Sequence, residues 1–157
     1  MSKSYSQTRD RIQLYFDQTA VKAWETLTNE TPVSVIRSKV RAGRLEMKEL
    51  LLSRLPDDLT GLSVLDAGCG TGQMAIDLGL RGAEVLGIDI SPNLIDIANR
   101  RLPKKIQSNV KFRVSDMMQN HGAFDYVILM DSLIHYPKDN TLDVLEALIL
   151  RTRNRIL

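Results

Sequence analysis

The chain predicts an α/β fold, a parallel and twisted sheet with helices on both faces. Two observations carry this expectation. From Gly61 onward short apolar runs alternate with amphipathic segments at the spacing of βαβ units, and a glycine-rich turn joins the first run to its helix. Before that point the chain reads as helical, with no convincing strand. The composition therefore divides at residues 1–60 and 61–157.

In the first part, Tyr15, Phe16, Ala20, Ala23, Trp24 and Leu27 recur at three- and four-residue spacings, an amphipathic helical pattern. Thr31-Pro32 supplies a cap and a proline suited to a first helical turn. Val33, Ile36 and Val40 continue the apolar stripe, Gly43 interrupts it, and it resumes from Leu45 to Leu55. Arg37, Lys39, Arg41, Arg44 and Lys48 load this helix with positive charge, which reads as a solvated face.

In the second part, strands are expected at Ser63–Ala67, Glu84–Ile90, Val110–Val114 and Phe124–Met130. Helices are expected at Gln73–Leu80, from Ser91-Pro92 to about Arg101, and at Thr141–Arg151. Crossovers between parallel strands should be right-handed. On this reading the chain reaches Leu157 with four strands, so the fourth lies at a sheet edge without its neighbour. Apolar edges of that kind invite aggregation.

A length of 157 residues suits one domain with one core. With 43% hydrophobic and 25% charged residues the composition is that of an ordinary globular protein. A net charge of +2 is too weak to argue for nucleic acid. Cys69 is the only cysteine, which excludes an internal disulfide and a cysteine-based zinc site. His121 and His135 are the only histidines, so no metal site is predicted. The first residues are polar and charged, unlike a secretory signal. Apolar runs such as Tyr126–Met130 are too short to span a bilayer. A cytoplasmic protein is expected.

Val64-Leu65-Asp66-Ala67-Gly68-Cys69-Gly70-Thr71-Gly72 joins the first strand to its helix. Glycines at 68, 70 and 72 allow a tight turn and let a ligand lie against bare backbone. A dinucleotide fingerprint would put its third glycine where Gln73 stands, and Asp66 would be a poor neighbour for a pyrophosphate. A cationic ligand fits better, and S-adenosylmethionine carries both an ammonium and a sulfonium. Asp89 closes the second strand 23 residues on from Asp66, where a carboxylate accepts bonds from ribose hydroxyls. Asp116 follows the third strand, placed for an adenine amino group. These acids line one crevice at the carboxyl ends of successive strands. Cys69 reads as a small residue filling the turn rather than a nucleophile.

This pattern resembles class I S-adenosylmethionine-dependent methyltransferases, a Rossmann-like fold, from about Leu62 onward. The resemblance implies that Asp66 and the backbone of Gly68, Cys69, Gly70 and Gly72 hold the methionine part. It places Asp89 and Ile90 at the ribose and Asp116 and Met117 at the adenine. Asp131 is assigned to the cofactor's amino-acid end, with a cap for the following turn as the equal alternative. The family's later strands would be missing, leaving the core incomplete and the chain poorly stable and inactive by itself.

Outside the cofactor motif, the Tyr15-to-Ala20 segment with Trp24, then Pro32 to Arg37, Val40 to Arg44 and Met130 to Tyr136 are similar to magnesium-protoporphyrin O-methyltransferases. That resemblance implies esterification of one propionate of magnesium protoporphyrin IX, in bacteriochlorophyll or chlorophyll synthesis. It makes residues 1–60 a helical lid over the cofactor. Tyr15 and His135 become the catalytic candidates, His135 bonding the carboxylate or meeting the porphyrin magnesium. A loop histidine satisfied by backbone is the plain alternative, and Tyr136 has a similar one as a packing residue. Arg37, Arg41 and Arg44 are weaker candidates for gripping the second propionate. The resemblance also implies contact with magnesium chelatase and peripheral association with photosynthetic membranes. Competing readings are a methyltransferase for another small molecule, such as a quinone precursor, and a non-catalytic module that binds S-adenosylmethionine.

Overall fold

In the computed structural model, which describes residues 3–28 and 34–157, three helices precede the first strand. They are α1 (Lys3–Tyr15), α2 (Val21–Leu27) and α3 (Val35–Leu52), with a wider π-helical turn at Phe16–Ala20 between the first two. The Thr31-Pro32 cap and Val33 lie outside the described residues. Then follow β1 (Ser63–Ala67), α4 (Gln73–Leu80), β2 (Glu84–Asp89), α5 (Pro92–Arg101), β3 (Val110–Val114), β4 (Phe124–Ile128), α6 (Lys138–Ile149) and β5 (Thr152–Ile156). The strands form one sheet in the order β3-β2-β1-β4-β5, and every pair is parallel.

The central strand explains the layering. Val64, Leu65, Asp66 and Ala67 are all buried, as expected for a parallel strand covered on both faces. Leu65 and Ala67 join Ile88, Ile97, Val144 and Leu148 in one core, which also contains Tyr5, Ile12 and Phe16. Val64 and Val85 point the other way, against Met74, Ala75 and Leu78 of α4 and Leu52 of α3. The amino-terminal helix is thus built into the same core as the sheet.

One expectation is corrected. β4 is an interior strand, because β5 pairs with it through Phe124–Thr152, Tyr126–Arg155 and Val127–Ile156. The sequence Thr-Arg-Asn-Arg-Ile hid this strand: its middle is charged and exposed, the pattern that blunts an edge, and Arg153 pairs with Asp125 at 3.5 Å. The expected instability of an unpartnered β4 loses its basis. The stripe interrupted at Gly43 lies on one helix, because α3 runs unbroken through Gly43 for 18 residues. A single glycine costs a helix only about 1 kcal/mol, within what the rest of the helix sustains. Of the stripe's first residues, Ile36 and Val40 are exposed.

Ser91 caps α5 and ties it to the amino-terminal region. Its hydroxyl accepts from the Leu94 N–H at 3.2 Å and donates to the Asp17 carboxylate at 2.5 Å. Ser91→Ala should therefore lower stability by about 1–2 kcal/mol. A thermal melt showing an unchanged midpoint would contradict that role.

Candidate functional site

A cavity of about 470 Å³ opens at the carboxyl ends of the strands. Its floor is the turn after β1 with Asp66, Gly68, Cys69 and Gly70, and Asp89, Ile90 and Met117 form one wall. Asp131, Ser132 and His135 form another, while Phe16, Trp24 and Arg44 from the amino-terminal helices form the roof. Gly68 has φ +83°, and a Cβ there would stand 2.4 Å from the Ser132 Cβ. The turn and the segment after β4 therefore close on each other only with glycine at this position.

Asp66 dominates the electrostatics. It is 2% exposed, and its Oδ2 has no hydrogen-bond partner among the described residues. Burial, reinforced by the Asp89 charge, raises its pKa from an ordinary 3.8 to about 7, although the Ala75 N–H favours the carboxylate. A buried acid with a bare oxygen at a cavity wall calls for a cation. Asp89 accepts the Gly70 N–H through Oδ2 and the Ser91 N–H through Oδ1, both at 2.9 Å. Each oxygen keeps a lone pair for a further donor. Burial also raises the Asp89 pKa. Cys69 is no nucleophile, because burial and then the nearby Asp66 and Asp89 push its thiol well up.

Asp116 differs from expectation. Its carboxylate is 4% exposed and is absent from the cavity lining, where its neighbours Ser115 and Met117 do appear. Tyr5 Oη donates to its Oδ1 at 2.6 Å, the Met118 N–H at 2.8 Å, and Arg9 approaches its Oδ2 at 3.5 Å. The Tyr5 ring stacks on Tyr136 at 5.8 Å, so one residue of α1 touches the segments after both β3 and β4. Asp131, with φ 58°, forms an ion pair with Arg44, whose guanidinium lies 4.3 Å from the centroid of Trp24. Arg44 is thus already partnered within the chain.

Of the two catalytic candidates, His135 lines the main cavity and Tyr15 does not. Both line a smaller neighbouring cavity. His135 Nε2 is buried without a hydrogen-bond partner among the described residues, and its ring meets Phe16 edge-on at 5.0 Å. Burial lowers its pKa, leaving it neutral at pH 7.

Sequence reasoning missed the knot around Thr28. Its hydroxyl receives bonds from Thr71 Oγ1 and Arg101, both at 2.8 Å, and its carbonyl accepts the Gln73 amide at 2.8 Å. The end of α2 is fastened in this way to the glycine turn and to α5. No local pattern announces such contacts, which join residues 43 to 73 positions apart.

A family model described as a methyltransferase domain matches residues 64–153. Magnesium-protoporphyrin O-methyltransferase of Rhodobacter capsulatus is 49% identical over the whole of this chain, which spans 71% of that protein. The chloroplastic magnesium protoporphyrin IX methyltransferase of Arabidopsis thaliana is 30% identical over 95% of this chain and 49% of its own length. Among solved structures, magnesium protoporphyrin IX methyltransferase of Synechocystis PCC 6803 with bound SAM superposes with a TM-score of 0.87 at 28% identity, covering 99% of this chain and 75% of that one.

The raised pKa of Asp66 has a testable sign. The folded state binds this proton more tightly than the unfolded chain, so the contribution is full below about pH 4 and is lost as pH rises through about 7. Asp66→Asn removes that loss. Melting temperatures measured from pH 4 to 8 without ligand should diverge with rising pH, the variant ending higher. Parallel curves would contradict the buried, unpartnered carboxylate.

Proposed function

The chain belongs to the magnesium-protoporphyrin O-methyltransferase family, and we propose that it transfers a methyl group from S-adenosylmethionine to a propionate carboxylate of magnesium protoporphyrin IX, a step of bacteriochlorophyll and chlorophyll synthesis. The observation that carries this reading is a cavity of cofactor size at the strand ends, floored by the glycine turn and lined by the acids Asp66 and Asp89. When bound, S-adenosylmethionine supplies an electrophilic methyl group on a sulfonium.

The chain's own residues fit that ligand. Asp66 takes the ammonium end, and the backbone from Gly68 to Gly72 lies along the methionine part. Asp89 accepts the ribose hydroxyls beside Ile90. Met117 borders the adenine, and Asp116 acts from behind by holding the segment after β3. Asp131, kept in place by Arg44, closes the amino-acid end. Residues 1–60 serve as lid and substrate segment, and residues 61–157 as cofactor core.

Methyl transfer to a propionate needs no strong base, because the carboxylate is already ionised at neutral pH. What remains is alignment and the exclusion of water. Phe16 and Trp24 keep water from the roof. A neutral His135 can hydrogen-bond the carboxylate or meet the porphyrin magnesium without adding charge, with Tyr15 beside it.

Among the described residues no helix is long and apolar enough to cross a membrane. For peripheral contact with photosynthetic membranes and with magnesium chelatase, the support is family resemblance. Exposed Val35, Ile36 and Val40, interleaved with Arg37 and Lys39, offer a surface for it.

Calorimetric titration should show binding of S-adenosylhomocysteine and none of NAD. Asp89→Ala should weaken the former by about 1.5–3 kcal/mol, through loss of a charged hydrogen-bond acceptor. Unchanged affinity, or preference for NAD, would remove the cofactor assignment. His135→Ala should retain that affinity while losing most turnover of magnesium protoporphyrin. A variant as active as its parent would take His135 out of the site.

A further inference from the structure

Resting on the function proposed above, we infer that the smaller cavity beside Phe16 is the port for the substrate carboxylate and that Arg11 is its anchor. This cavity, about 230 Å³, is lined by Arg11, Ile12, Tyr15, Phe16 and His135. Ile12, Phe16 and His135 also line the cofactor cavity, so the two adjoin along the Phe16–His135 contact. The space admits a short carboxylate arm but not a tetrapyrrole ring.

Its polar groups suit an anion. Arg11 and Tyr15 stand four residues apart on α1 and share one helix face. Arg11 has no ion-pair or hydrogen-bond partner among the described residues, whereas Arg9 is held by Asp10 and Asp116, and Arg44 by Asp131. His135 lines the same cavity, and its Nε2 is buried without a hydrogen-bond partner among the described residues. An exposed guanidinium and a partly buried imidazole on one cavity supply donors for a carboxylate. Tyr15 in the lining and the sequence neighbours Leu14 and Ile134 are exposed apolar residues, at 50%, 55% and 75%. An apolar ring bearing carboxylate arms matches that combination of apolar residues and a cationic side chain.

With one carboxylate oxygen held by Arg11, the other faces the cofactor cavity. Its lone pair forms the bond to the methyl carbon as the carbon–sulfur bond breaks. The bonding pair passes to sulfur, giving a neutral thioether and an ester, and no proton moves.

The test uses the whole chain and two readouts. Methyl transfer to magnesium protoporphyrin is measured for the parent, Arg11→Gln, Arg11→Lys and, as a distant charge control, Lys105→Gln. Arg11→Gln should raise the KM for the porphyrin about tenfold, with kcat and S-adenosylhomocysteine affinity held. Arg11→Lys should recover part of the loss, and Lys105→Gln should match the parent. Separately, magnesium protoporphyrin and its dimethyl ester are titrated onto protein saturated with S-adenosylhomocysteine. The parent should prefer the free acid and Arg11→Gln should not. An Arg11→Gln protein with the parent's KM and the parent's preference overturns the anchor alone. A parent that binds neither porphyrin overturns the proposed function and this inference with it.

Discussion

A carboxylate held out of water without a full set of partners governs this molecule. Asp66 stands at the end of the most buried strand, and its environment follows from position alone. The strand is central, its neighbours on both sides are paired, and α4 covers one face while the opposite core covers the other. A charge placed there is costly unless something positive answers it. Among the described residues no cation pairs with it, so burial is answered by a raised pKa, and a cation bound in the adjoining cavity would favour the charged form. The glycine turn directly after Asp66 provides the room, and Asp89 adds a second acid that makes the cavity more receptive to cations.

The amino-terminal helices are secured by contacts that also shape this cavity. Tyr5 binds Asp116 and stacks on Tyr136, Thr28 joins the glycine turn to Arg101, and Arg44 reaches Asp131. Each tie connects a helix of the first sixty residues to a segment following a strand. Roof and floor are therefore joined by contacts that run directly between them. Arg44 shows why charge alone is a poor guide to substrate binding. It looked available for a propionate, yet its guanidinium is satisfied by Asp131 and by the face of Trp24, whereas Arg11 lines the smaller cavity.

Much of this was legible in the sequence because it depends on short-range pattern. The run from Val64 to Gly72 announces a strand, a turn and an acid at its start, and the structure has all three there. Ser91-Pro92 announces a helix start, and the serine caps it. β5 was not legible, because its strand pairing is imposed by β4 while its own middle residues are polar. Asp116 was legible after the third strand, but its bond from Tyr5 was not, since the two lie 111 residues apart. The smaller cavity likewise exists only when α1 and the segment after β4 meet, and its lining cannot be read from either alone.

The central claim is that Asp66 awaits a cationic ligand. Selective carbon-13 labelling of aspartate allows its carboxyl to be titrated by NMR, free and saturated with S-adenosylhomocysteine, whose ammonium supplies the missing charge. The account predicts a midpoint near 7 for the free protein and a fall toward the ordinary carboxylate range with ligand bound. A midpoint already in that range without ligand, or one that ligand leaves in place, would contradict it.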